Sequence, residues 1–308
     1  MEIRNLTTFL AVSEVLNFTK VAHDNGYTQS AITVQIHQLE EEIGIKLFDR
    51  IGKKVTLTNE GKQFIKHARK IINEVEEAKN VFFESPTQRG YIKLGIVESL
   101  LSAEFPKVLQ LFHKEFPNVS ISIQTGTMEY LIEQLQHNKL DMMYGFDEQI
   151  YHEDWVKVLN ISEKVAFVAS SNHPLVSKSN VTIEEMENYD IILTEKDVSY
   201  RYVLERKLAE RQKNIYPFLE VGNIEFIKRL LLENLGICYM PLYTIKKELR
   251  EEKLSQISCK EYEIEIYKQL IYRKDKWLNF SMKGLIRIIL ECEKSDKDEE
   301  LSVSKCIN

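Results

Sequence analysis

The 308-residue sequence has little cysteine, and its four residues, Cys238, Cys259, Cys292 and Cys306, stand far apart with no C-x-x-C pair. That spacing signals neither a zinc site nor a dithiol motif and fits reduced thiols in a cytoplasmic protein. A thiol redox switch stays open as the lesser reading. A run of about 18 apolar residues is missing, so no membrane span is expected. The opening Met1-Glu2-Ile3-Arg4 leads into a mixed-charge amphipathic stretch, unlike a signal peptide. Positive charge is in short supply: 41 Lys and Arg against 47 Asp and Glu leave a net charge of −6. A broadly basic coat is thereby excluded, so any DNA contact must rest on local geometry and a few placed cations. Catalytic signatures are missing too. No Ser–His–Asp order, nucleophile elbow, metal-ligand cluster or phosphate-cradling Gly loop occurs, so no catalytic residue, metal or cofactor is expected.

What is present begins at the amino terminus. Leu6, Phe9, Leu10, Val12, Ser13 and Leu16 trace one helical face. Thr19 is placed to cap a short second helix carrying Val21 and Ala22, and Gly26 suits its left-handed end. Thr28 is placed to cap a third helix that runs to Ile43 and stops at Gly44. Its inner stripe is Ala31, Ile32, Ile36, Leu39 and Ile43. A small residue at the crossing, a Gly in the turn and an apolar plug at Ile32 are what two steeply crossed helices need. The polar side of the third helix carries Gln29, Ser30, Thr33, Gln35 and His37, which suit base edges or phosphates, and Val34, which suits a thymine methyl. Spacing alone leaves open a three-helix cap with an ordinary solvated face. Two short extended pieces then flank Gly52-Lys53-Lys54, a hairpin with a basic tip.

The string Phe9, Val12, Phe18-Thr19, Ala22, Gln29-Ser30-Ala31-Ile32-Thr33, Gln35-Ile36, Leu39-Glu40, Gly44, Leu47-Phe48, Arg50, Leu57-Thr58 and Gly61 resembles the LysR-type transcriptional regulators across the whole N-terminal domain. Val21, Thr33 and Val34 depart from the usual residues and bear on base preference. The resemblance implies a winged helix-turn-helix that binds double-stranded promoter DNA. Gln29, Ser30, Thr33, Val34 and Gln35 would meet bases or nearby phosphates, with Thr28 and His37 beside them. Lys20, Arg50, Lys53 and Lys54 would lie along the backbone.

From Asn59 to about Phe83, Phe64, Ala68, Ile71, Val75, Ala78 and Phe82 alternate spacings of four and three, a heptad seam. A helix packed on its own chain would read the same way. The resemblance implies instead antiparallel pairing with a second subunit, giving a homodimer or homotetramer. Pro86 and Gly90 mark a hinge.

Beyond residue 90, strands and amphipathic helices alternate, which means parallel β-structure with crossover helices. Two α/β lobes are expected, with the chain passing between them near residues 164 and 267. Phe105-Pro106, Phe116-Pro117-Asn118-Val119, Gly126, Leu140-Asp141, His173-Pro174-Leu175 and Gly236-Ile237…Pro241 resemble the effector domain of the same family. The expected organisation is therefore α/β with an N-terminal all-α winged helix-turn-helix (1–58). A linker helix and hinge (59–89) join it to a two-lobed, periplasmic-binding-protein-like effector domain (90–296). Lobe I comprises 90–164 and 267–296, lobe II comprises 165–266, and a mobile tail (297–308) follows. The resemblance implies a cleft between the lobes, with Glu98, Ser99, Ser102, Thr125, Thr127, Tyr144, Gly145, Thr194 and Gly222 as its candidates. Hydroxyls and helix starts favour a carboxylate effector. Glu98 would repel one, and an amine-bearing or zwitterionic molecule would reconcile the two. RNA polymerase is the further partner the resemblance implies. Three rival readings are an enzyme, a solute-binding protein, and a constitutive regulator with a vestigial cleft.

Overall fold

The computed structural model describes the backbone of residues 1–51, 54–80 and 90–306 and the side chains of 1–49, 55–72, 74–75, 78 and 90–295. Lys53, Phe82 and the hinge segment 81–89 fall outside the described residues, as do the side chains of Arg50 and Lys54. The chain divides into two units, Met1–Glu84 with Asp275–Asn279, and Ser85–Lys274 with Phe280–Asn308.

In the first unit, α1 (Ile3–Val15), α2 (Phe18–Asp24) and α3 (Gln29–Ile43) precede a hairpin of β1 (Phe48–Ile51) and β2 (Lys54–Leu57); α4 (Asn59–Asn80) follows. The apolar stripes of α1, α2 and α3 converge on a core that includes Leu6, Phe9, Val12, Phe18, Ile32 and Leu39. Ala22 sits buried where α2 meets α3, and Gly26 takes φ +70°, a left-handed position open to glycine at little cost. Thr28 caps α3 by accepting the Ala31 N–H at 3.2 Å. The cap of α2 is Asn17, not Thr19: Asn17 Oδ1 accepts the Lys20 N–H at 3.0 Å. The helix starts early because Phe18 enters the core from its first position. Glu40 ties α3 to the hairpin. Its carboxylate accepts the N–H groups of Leu47 at 2.8 Å and Phe48 at 3.1 Å.

The second unit runs β3 (Gly90–Ile96), α5 (Glu98–Ala103), α6 (Phe105–Glu115), β4 (Val119–Thr125), α7 (Met128–Gln136), β5 (Met142–Asp147) and β6 (Trp155–Ser170). It continues through α8 (Ile183–Met186), β7 (Ile191–Leu193), α9 (Ser199–Glu210), β8 (Leu219–Glu220), α10 (Ile224–Leu232) and β9 (Ile237–Pro241). A 3-10 turn (Leu242–Ile245), α11 (Lys246–Arg250), β10 (Leu254–Gln256), β11 (Ile264–Arg273) and α12 (Phe280–Cys306) complete it. The sheet order is β4-β3-β5-β11-β6-β9-β7-β8, with β10 on β6. Parallel pairs β3/β4 and β3/β5 make one half, and β7/β8 and β7/β9 the other. The long antiparallel pair β6/β11 joins them, and β6 goes on to pair with β9. Parallel halves leave their strand ends and helix starts facing a shared crevice. Thr182 and Glu185 form the capping box their spacing suggests. The segment 297–306, expected as a tail, continues α12 as helix to Cys306.

Strand β5 runs on to Asp147, which takes Tyr144 away from the cleft. Tyr144 lies inside the strand, buried, with its hydroxyl donating to Glu293 and standing 3.3 Å from the Glu104 carboxyl. These groups surround Lys268 on β11, which is 0% exposed. Its ammonium pairs with Glu104, with Glu163 at 2.9 Å and with Glu293 at 3.2 Å, and lies 4.6 Å from the centre of the Tyr243 ring. Burial, only partly offset by the Lys268 charge, pushes the Glu104 carboxyl up to about 8. Burial also works against charge on Glu293, but the hydrogen bond with Glu104 and the Lys268 ammonium outweigh it and hold its carboxyl low. The pair therefore keeps one proton.

A candidate DNA-reading face and a candidate effector cleft

The outward face of α3 follows from its length and its buried stripe. Gln29, Ser30, Val34 and His37 are exposed, and Thr33 is half-buried. Val34 is 53% exposed, too much for a residue packed in its own domain. Thr33 Oγ1 donates to the Gln29 carbonyl at 2.9 Å, Ser30 and Thr28 share a hydroxyl contact at 2.9 Å, and His37 faces Glu41 at 3.3 Å. Gln35 does not join them. It is buried, and its Oε1 accepts the Thr8 hydroxyl at 2.5 Å, which locks α3 to α1. The reason is arithmetic: residue 35 follows Ile32 by three and precedes Leu39 by four, so it belongs to the inner stripe. Gln38, missed in the sequence, is exposed one turn beyond Val34. Lys20 is exposed on α2.

The heptad seam divides. Ala68 is fully buried, and Phe64 and Ile71 pack on the same core; the Phe64 ring lies 5.3 Å from that of Phe9. The first half of the seam thus closes the module's own core, because α4 must cover the apolar back of α1. This corrects the assignment of Ala68 to a subunit interface. Val75 is half-buried and Ala78 exposed, and neither belongs to that core cluster.

In the second unit a cavity of about 660 Å³ opens between the two halves of the sheet. Six of the expected residues line it: Glu98, Ser99, Thr125, Thr127, Thr194 and Gly222. Three do not. Tyr144 points into the buried lysine cluster, Gly145 packs against Met128, and Ser102 stands behind Glu98 and donates to it at 2.9 Å. Glu195, Asp197, Ser199, Asn223 and Phe146 line the cleft unforeseen. The first three come from the segment that follows Thr194 beyond the end of β7, up to the first residue of α9.

Most polar groups here already have partners. The Ser99 hydroxyl accepts from Tyr243 at 2.7 Å, and Thr127 caps α7 by accepting the Tyr130 N–H at 3.3 Å. Asn223 caps α10 by accepting the Phe226 N–H at 2.8 Å. Glu98 accepts from Ser102 and faces the Ile224 backbone N–H. Burial pushes its carboxyl up. The Ser102 hydroxyl and the Ile224 N–H oppose the shift, and the charges of Glu225 and Glu195 add to it. Thr194 Oγ1 is buried with no partner within normal hydrogen-bond geometry, although the Tyr200 hydroxyl is its neighbour. A Cβ on Gly222 would come within 2.9 Å of the Glu195 carboxyl group, the far end of a flexible, exposed side chain that lies over the glycine. Cys238 and Cys259 lie apart in the core, their thiols pushed up by burial to about 12 and about 11. Neither has the lowered value that makes a redox-active thiolate.

A helix-turn-helix module with a hairpin and a long following helix, in one chain with a two-halved α/β domain around a cleft, is the organisation of a DNA-binding transcriptional regulator. The chain belongs to the LysR family of transcriptional regulators. Residues 3–62 match the model of the bacterial regulatory helix-turn-helix protein, lysR family, and 86–292 match the LysR substrate binding domain. The HTH-type transcriptional regulator YwqM of Bacillus subtilis is 34% identical over 93% of this chain and 97% of its own length. CzcR of Bacillus cereus is 28% identical over 94% of this chain and 98% of its own. Among solved structures, full-length OxyR from Pseudomonas aeruginosa superposes with a TM-score of 0.64 at 16% identity, covering 95% of this chain and 94% of that one. Vibrio fischeri DarR, solved in complex with DNA, gives 0.53 at 21%, covering 94% of this chain and 98% of that one. Among the described residues, no helix is long and apolar enough to cross a membrane.

Proposed function

We propose that this chain acts in the cytoplasm as a sequence-specific regulator. In this reading Gln29, Ser30, Thr33 and Val34 meet base edges of a promoter, and the cleft of the second unit senses a small metabolite. His37 and the α3 cap Thr28 sit beside the readers, and Lys20, Arg50, Lys53 and Lys54 follow the phosphates. The observation that carries the reading is the division of α3. Its inner stripe, Gln35 included, faces the core, which leaves an outer face whose described polar contacts, Thr33 with Gln29, Ser30 with Thr28 and His37 with Glu41, stay within α3 and its cap. Two such modules on a homodimer or homotetramer would engage half-sites about 34 Å apart, which one module cannot do tightly. Val75, Ala78 and Phe82, beyond the part of α4 used by the core, are the seam residues left for a second subunit. Effector binding would favour one relative position of the lobes, alter the oligomer's spacing on DNA and so change its contact with RNA polymerase.

Genome-wide mapping of bound DNA, followed by titration of the recovered sites with the purified full-length chain, tests the first half. Tight binding at a shared two-fold motif is expected, and binding that ignores sequence would refute it. A thermal-shift screen tests the second, since a ligand that binds only the folded state must raise its stability. A cleft with no ligand in any screen would leave a constitutive regulator.

A further inference from the structure

We propose that the cleft takes a protonated amine carried on an apolar body, and not a carboxylate. The proposal rests on the reading of the cleft as the effector site and narrows its ligand. Glu98, Glu195 and Asp197 line the cavity, and its lining contains no Lys, Arg or His. Among the described residues, none of these three carboxylates has a cationic side chain within ion-pair distance. The nearby cations are committed elsewhere. Arg201, 2% exposed, gives its guanidinium to the Thr194 carbonyl at 3.0 Å, to Glu205 at 2.8 Å and to Glu220 at 3.4 Å. Lys228 pairs with Glu225 at 3.0 Å and Glu248 at 3.1 Å. Lys196 is exposed and does not line the cavity.

The helix starts that would hold an anion are also taken. The first N–H of α10 already faces the Glu98 carboxylate, and the cap of α10 is the side chain of Asn223. Thr127 serves α7 in the same way. A ligand carboxylate would have to displace Glu98 and then sit beside Glu195 and Asp197 with no countercharge, which costs more as the cleft closes and water leaves. An ammonium meets the opposite situation. It neutralises carboxylates that stand unpaired, and Thr194 Oγ1, on a residue only 2% exposed, is an unused acceptor for one of its N–H groups. Burial raises the Glu98 carboxyl, and a bound cation would oppose that shift. Val97, Met128, Phe146 and Val221 supply an apolar wall for the rest of the molecule.

The test uses the full-length chain in thermal shift and calorimetry. Butylamine, hexylamine and phenethylamine are set against pentanoate, heptanoate and phenylpropanoate, all at millimolar concentration. At least one amine is expected to raise the melting midpoint while no acid does. Glu98→Gln should weaken that amine by about tenfold or more, the loss of one close charge pair in a partly dry site. Glu195→Gln and Asp197→Asn, both changes on exposed residues, should weaken it in the same direction by about two- to fivefold and guard against misfolding of the Glu98 variant. Binding of an acid and not of its amine would overturn the inference and leave the effector reading standing. An amine that binds equally well to all three variants would overturn it as well. If neither class binds, the inference and the effector reading fall together.

Discussion

The buried cluster around Lys268 makes the stability of the second unit depend on pH in a direction that one substitution can isolate. Glu104 titrates at about 8 in the folded chain against an ordinary carboxyl value of 4.5. Its folded-state value is raised, so its stabilising contribution is complete below pH 4.5 and is lost as pH rises through about 8. Across that interval the native state holds a proton that the unfolded chain has released. One proton corresponds to a slope of about 1.4 kcal/mol per pH unit at most, so the fall between pH 5 and pH 8 is on the order of 3–4 kcal/mol. Glu104→Gln keeps the shape of the protonated acid and removes the proton. The variant should match the wild type near pH 5 and gain on it steadily toward pH 8. Glu98 and Asp147 are also raised by burial and act in the same sense, whereas His173 is lowered by burial and acts in the opposite one. The informative quantity is therefore the difference between the two proteins. Urea denaturation of the full-length chain at pH 5, 6, 7 and 8 measures it. Parallel stability curves for wild type and variant would show that Glu104 is ionised throughout and that the cluster holds no shared proton.

Gln35→Ala removes the acceptor of the buried Thr8 hydroxyl and should cost about 1–3 kcal/mol in denaturant stability while leaving the base-preference profile unchanged. A changed profile would mean that Gln35 reaches DNA after all. Lys20→Ala should weaken binding on every duplex and lower the slope of log affinity against log salt by about 1. An unchanged slope would take Lys20 off the phosphates. Cys238 and Cys259 should resist a thiol reagent until the chain unfolds, because burial keeps both thiols protonated at neutral pH. Rapid labelling of either in the native protein would reopen the redox reading.

How much the sequence disclosed depended on whether a signal was local. Around α3 the cap, turn and stripe were legible: Thr28, Gly44 and the Ile32 plug stand where their spacing suggests, because each is fixed within one or two helical turns, whereas the α2 cap fell on Asn17 and not Thr19. Gln35 misled only because its polar side chain was weighed above its position. The same helical period that buries Ile32 and Leu39 buries it too. The seam of α4 misled for a different reason. A heptad stripe records that a helix is covered, not by what: for Ala68 the cover is the chain's own core, and Phe64 and Ile71 are partly covered by it. Lys268 was readable and unread: Ile264, Ile266 and Leu270 alternate with it on the buried face of β11. Its partners Glu104, Glu163 and Glu293 come from three distant segments, which no spacing can reveal. In the cleft, residues at strand ends were found and their neighbours missed, since Glu195 and Asp197 are brought into the wall by the loop after β7.

The most direct check is a base-preference profile of the full-length protein on a library of duplexes, taken for the wild type and for Gln29→Ala. A two-fold motif whose specificity relaxes at one position per half-site in the variant is the expected result. A protein that shows no preference among duplexes, or a Gln29→Ala profile indistinguishable from wild type, would contradict the assignment of the outer face of α3 as the surface that reads DNA.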